Sequence, residues 1–180
     1  MKKLMVLLMG LSLVACQTMP EEETPSGPMD SVSIDALIPY ADNNKIAGNI
    51  KQECRLPEKL SEFLVIFGKK YRINFVQKAS VSSNDPGKVL KVRITDALSQ
   101  GHAWGGFGGG HHNKFTEISG ELYENGKKIG SFVAARSSGG GAFAGFKGSC
   151  SVLGRTVKAL GKDVARWLRR PELDSRLGER

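Results

Sequence analysis

The chain has 180 residues, with 26 Lys or Arg against 18 Asp or Glu, a formal charge of +8 and 40% hydrophobic residues. That length holds one domain around one core rather than several. The basic surplus suits anionic lipid head groups, lipopolysaccharide or an acidic partner, and its plainer reading is a solvated basic face.

The chain opens on Met1-Lys2-Lys3, runs through an apolar stretch from 4 to 14 broken by Gly10 and Ser12, and reaches Leu13-Val14-Ala15-Cys16. This is a charged region followed by a hydrophobic one, the pattern of a removable signal. At about half the roughly 20 apolar residues that span a bilayer, it is too short for a transmembrane helix. Leu13-Val14-Ala15-Cys16 resembles the lipobox of bacterial lipoproteins. The resemblance implies cleavage before Cys16 and acylation of that cysteine; the alternative is an ordinary secretory signal containing a cysteine. Two or more acyl chains hold a protein on a membrane where one holds it only marginally. In that family a residue other than Asp after the cysteine implies the outer membrane, and Gln17 stands there. The expected address is therefore the cell envelope, lipid-anchored in the outer membrane and facing the periplasm, where nucleic acid is not a partner.

Residues 1–15 are read as signal peptide and 16–33 as a lipidated tether. Pro20, Pro25, Pro28 and the run Glu21-Glu22-Glu23, with almost no aliphatic residue, leave that segment too little surface to bury. Residues 34–170 are read as a single α+β domain and 171–180 as a C-terminal tail. Residues 46–53 are expected to form a first strand. Pro57 then suits the first turn of a helix; Leu60, Phe63, Leu64 and Phe67 share one face, and Gly68 suits the stop. Residues 72–78 supply a second strand, and Asn84-Asp85-Pro86-Gly87 a turn. Leu90, Val92 and Ile94 alternate with Lys91, Arg93 and Thr95, a strand with one buried and one wet face. Residues 115–123 and 129–135 form a hairpin about Asn125-Gly126, a pair suited to the positive φ angles of a type I′ turn, with Glu124 facing Lys127. Val152, Leu153, Val157, Leu160, Val164 and Leu168 then keep one helical face opposite Lys158, Lys162, Arg166 and Arg169, until Pro171.

With Cys16 taken by lipid, Cys54 and Cys150 remain as a disulfide pair in an oxidising compartment; free or metal-binding thiols are the alternative. The bond would pin the last helix beside the end of the first strand. The expected architecture is α+β, a small mostly antiparallel sheet covered on one face by two helices. Glycine-rich segments at 101–112 and 139–148 flank the hairpin and are expected on one edge.

From residue 88 to 170 the order of parts resembles a domain-of-unknown-function family of envelope lipoproteins. It comprises a glycine loop at 105–110, a strand, Asn125-Gly126-Lys127, a second strand, Gly139 to Gly141 and an amphipathic helix from Cys150 to Arg169. The resemblance implies a non-catalytic accessory or binding module and supplies no catalytic residue. The Cys54 and Cys150 pair and His111-His112 depart from the family pattern.

Neither glycine segment places Lys and a hydroxyl residue after its last glycine, as a phosphate loop requires, and Gly106-Phe107-Gly108 lacks the third glycine of a dinucleotide loop. Trp104, Phe107, Phe143 and Phe146, aromatics set among glycines, instead suit a partner-binding edge. His102, His111 and His112 are all the histidines of the chain and are weak metal candidates, the basis of an alternative metal-binding reading. Hydrolase signatures are absent, and Glu117 with Glu121 on one strand reads as solvated rather than catalytic. No cofactor and no enzymatic activity are expected. The partners expected are the membrane, through the lipid anchor, and an envelope protein; the sequence does not set an oligomeric state. A basic surface at Lys158, Lys162, Arg166 and Arg169 holding anionic lipid or glycan is a third possibility.

Overall fold

The computed structural model describes residues 29–42, 45–101, 112–139 and 148–178. In chain order the elements are β1 (Asp30–Asp35), α1 (Gly48–Glu53), α2 (Leu56–Lys70), β2 (Ile73–Lys78), β3 (Lys88–Gly101), β4 (His112–Glu124), β5 (Lys127–Gly139), α3 (Ser149–Trp167) and β6 (Ser175–Gly178). The strands form one sheet in the order β2-β1-β3-β4-β5-β6. β1 runs parallel to both β2 and β3, β6 runs parallel to β5, and only β3–β4 and β4–β5 are antiparallel. The class is α+β, but the expected mostly antiparallel sheet with two helices is corrected to a mixed sheet with three helices.

The correction traces to three short segments. β1 carries only Val32 and Ile34 as buried apolar residues among Ser and Asp, and begins inside the stretch assigned to the tether. β6 has Leu177 as its one aliphatic and lies in the stretch assigned to the tail. Each runs parallel to its neighbours. Residues 46–53, expected as a strand, contain helix α1. Ile46, Ile50 and Cys54 recur every fourth residue and are all buried, a helical period rather than an alternation.

Helix α2 has Pro57 in its first turn and buries Leu56, Leu60 and Leu64. It runs past Gly68, the expected stop. A Cβ there would meet the Phe75 ring at 2.5 Å and the Ile73 carbonyl oxygen at 2.8 Å, so glycine serves the close approach of β2 and not a cap. The β4–β5 turn has Asn125 at φ 50° and Gly126 at φ 83°, the type I′ geometry, and Glu124 pairs with Lys127. Asn125 also ties this turn to the preceding one. Its N–H donates to the Gly87 carbonyl, and its side-chain oxygen accepts from the Gly87 N–H at 2.9 Å.

The core lies between the sheet and the helices. Helix α3 buries Val152, Leu153, Val157, Leu160 and Val164 against β4, β5 and α2. Its Gly161 lets α2 approach until a Cβ there would stand 2.8 Å from the Phe63 Cβ. A two-pronged ion pair, Arg136 Nε to Asp163 at 2.8 Å and Arg136 Nη2 to Asp163 at 3.0 Å, joins β5 to α3. On the other face of the sheet, residues 79–87 pass across β1 from β2 to β3, held where the Val81 N–H donates to Asp35 Oδ1 at 2.8 Å. No described helix is long and apolar enough to cross a membrane.

Candidate functional site

Strand pairing brings the glycine segments to one end of the sheet. Gly101 pairs with His112, Asn113 pairs with Gly139, and α3 starts at Ser149. Segments 102–111 and 140–147 are therefore rooted in neighbouring strand ends. Cys16, Trp104, Phe107, Phe143, Phe146, His102 and His111 lie outside the described residues, and His112 is the first residue of β4. Among the described residues no group of three His, Cys, Asp or Glu could hold a metal ion.

At this same end Cys54 and Cys150 form a disulfide with Cα atoms 4.7 Å apart. It pins the C-terminus of helix α1, not of a strand, to the first turn of α3. Beside it lies a cleft of about 660 Å³, walled by α1 through Ala47, Asn49, Ile50 and Glu53, by the end of β3 through Ala97, Leu98 and Ser99, and by Gly148 and Ser149. Lys114 of β4 is only 6% exposed. Its ammonium donates to Ser99 Oγ, and to Ser149 Oγ at 3.2 Å; Ser99 Oγ in turn donates to Ser149 Oγ at 2.8 Å. One step along the same face of the strand, Thr116 and Thr156 share a buried hydrogen bond of 2.8 Å. Sequence reasoning missed Lys114. The available signal was the phase of β4, because Lys114 falls in step with the inward Thr116, Ile118, Gly120 and Leu122.

A second cleft, of about 520 Å³, lies over β4, β5 and β6 on the face away from the helices. Glu121 accepts a hydrogen bond from Lys128 and one from the Tyr123 hydroxyl at 2.8 Å. The Lys128 bond, and then the Tyr123 bond, hold the Glu121 carboxyl below the usual carboxylate range. The same carboxylate raises Tyr123 and Lys128 above their ordinary values, in each case chiefly through the hydrogen bond. Glu117, on the same face, accepts from Thr95 Oγ1 at 2.9 Å. Each carboxylate thus has its own hydrogen-bond donor. Lys158 and Arg166 are exposed on α3, Lys162 is half-buried there, and Arg169 is exposed just beyond the helix end, so the basic stripe is on the surface.

Tyr40 stands apart, its hydroxyl buried without a hydrogen-bond partner among the described residues. Burial, and secondarily the Glu58 carboxylate, push it up to about 12. A folded value raised above the unfolded one gives stability that is full below about pH 10 and is lost as the pH climbs through about 12. Alkaline titration of phenolate absorbance should show ionisation delayed beyond the ordinary tyrosine range. Tyr40→Phe should remove the latest component, and an unchanged curve in that variant would contradict the assignment.

No protein-family model and no curated protein matches the chain. Solved structures do. A Xanthomonas campestris protein of the DUF330 family model superposes with TM-score 0.56 at 10% identity, covering 83% of this chain and 88% of that one. The two share a fold. That agrees with the resemblance to a domain-of-unknown-function family drawn from residues 88–170. A minor lipoprotein from Acinetobacter baumannii aligns with TM-score 0.44 at 13% identity, over 79% of this chain and 96% of that chain. A PelC protein from Paraburkholderia phytofirmans, described as a dodecamer, aligns with TM-score 0.41 at 13% identity, over 77% and 93%.

Proposed function

We propose that the chain is an envelope lipoprotein, held by acyl chains on Cys16 in the outer membrane and facing the periplasm, whose domain is a non-catalytic binding module for another envelope protein. The observation that carries the binding role is the convergence of strand ends. Gly101 beside His112, and Asn113 beside Gly139, root two aromatic-bearing glycine segments next to each other. Four rings, those of Trp104, Phe107, Phe143 and Phe146, thereby belong to segments anchored at one end of a rigid sheet. Large rings supply contact area, and a few such residues carry most of an interface's energy. The disulfide supports an oxidising compartment. The lipobox resemblance at Leu13-Val14-Ala15-Cys16 supports the anchor.

Crosslinking in intact cells, followed by capture of the lipidated protein, tests the reading. A stoichiometric envelope partner is expected, and Trp104→Ala or Phe143→Ala is expected to weaken its capture, each by about 2 kcal/mol if the ring is a centre of binding energy. Capture that both variants leave unchanged would remove the aromatic segments from the interface.

A further inference from the structure

We propose that the end of the sheet beneath the disulfide holds a binding site for a phosphate-type oxyanion, built from Lys114, Ser99, Ser149 and the first turn of α3. This assignment is independent of the aromatic segments, because every residue in it is described and none comes from 102–111 or 140–147.

The argument starts from an unbalanced charge. Lys114 is only 6% exposed, and its ammonium touches two serine hydroxyls and no carboxylate among the described residues. Its cross-strand neighbours are Ser99 on β3 and Ser138 on β5, both neutral. The first turn of α3 carries no acidic residue. Segments 102–111 and 140–147, which leave and return at this end, contain no Asp or Glu. A buried ammonium is tolerated only when an opposite charge or a full set of hydrogen bonds replaces its water. Two hydroxyls that also bond each other do not supply the charge.

The surroundings add positive potential instead of cancelling it. Helix α3 is 19 residues long, and its positive dipole end begins at Ser149, the residue whose hydroxyl accepts from Lys114. Its N-cap is Gly148, which has no side chain to cap the N–H groups of the first turn. The adjoining cleft is lined by one acid, Glu53, and one base, Lys45, which offset each other and leave the excess to Lys114. Ser99 and Ser149 line that cleft and both accept from the Lys114 ammonium, so a ligand entering from it meets the two hydroxyls that Lys114 holds. Two hydroxyls on the cleft wall, the ammonium bonded to both and the start of a long helix are the donor set that a tetrahedral oxyanion, which accepts on several oxygens at once, would use. A free phosphate and the phosphate of a lipid head group share that chemistry.

The test uses purified full-length protein with its disulfide intact. Calorimetric titration with inorganic phosphate, and separately with phosphatidylglycerol vesicles, is run against chloride at matched ionic strength. Saturable binding of either probe beyond the chloride control is expected, falling at least tenfold in Lys114→Met and several-fold in Ser149→Ala. The probe that binds identifies the source of the phosphate. Ser149→Ala removes only a hydroxyl at a helix end and serves as the reporter should Lys114→Met not fold. Absence of binding by both probes, or binding equal in wild type and both variants, would overturn the proposal.

Discussion

Replacing both Cys54 and Cys150 by alanine is expected to lower the unfolding free energy by about 4 to 5 kcal/mol, the figure the chain-entropy account assigns to a loop of roughly 100 residues. The bond spans 96 residues of sequence and crosses from α1 to α3, so it restrains most of the folded domain in the unfolded ensemble. A local effect adds to this. Helix α1 has six residues and no side-chain hydrogen bond at its N-cap, far short of the length at which a helix holds itself together in water. Its C-cap residue is Cys54 itself. Urea unfolding of the double variant should therefore show a much lower midpoint, and amide exchange in α1 should accelerate more than exchange in α3. A loss under about 1 kcal/mol would mean that burial of Ile46 and Ile50 holds α1 in place unaided.

What can be read in advance follows the strength of the local pattern. The β4–β5 hairpin is legible because Asn125-Gly126 specifies positive φ at two successive residues. Helix α3 is legible because Val152, Leu153, Val157, Leu160 and Val164 repeat at helical spacing, and all five are buried. The disulfide follows from counting cysteines once Cys16 is set aside. β1 and β6 are not legible. Ser33 and Asp35 in β1, and Arg176 in β6, look like loop residues, and these strands exist because a neighbouring backbone is available to pair with, which no local pattern records. Helix α1 is easily misread, because it offers only three apolar positions four apart in a stretch short enough to pass for a strand. Lys114 escapes notice because a lysine near a glycine-rich segment reads as solvent-facing, and only its phase with Ile118 and Leu122 places it inside.

Trp167→Ala is expected to cost about 3 to 5 kcal/mol, the range for removing a large buried aromatic side chain. Trp167 is 7% exposed and meets Phe132 edge-on, with ring centroids 4.9 Å apart and planes at 67°. It also fills the space left by Gly130, where a Cβ would stand 2.8 Å from the indole ring. Alanine would leave a cavity lined by groups on two different elements, α3 and β5, which cannot both move in to close it. The indole has a second role, because Nε1 donates to Ser175 Oγ at 3.0 Å and so holds the first residue of β6. That strand has four residues at the edge of the sheet, and its remaining ties include Ser131 with Asp174 and the Ser131 N–H donating to the Glu172 carbonyl. Trp167→Phe separates the two roles. It keeps most of the packing on Phe132 and loses the hydrogen bond, for which about 1 kcal/mol is the expected loss. Urea unfolding followed by circular dichroism gives both numbers, and amide exchange at Arg176 and Leu177 reports β6 directly. If β6 exchanges no faster in Trp167→Ala than in the wild type, its pairing with β5 and the ties among Ser131, Glu172 and Asp174 hold the strand without the indole. The parallel β5–β6 pairing would then be the part of the sheet that stands without support from α3.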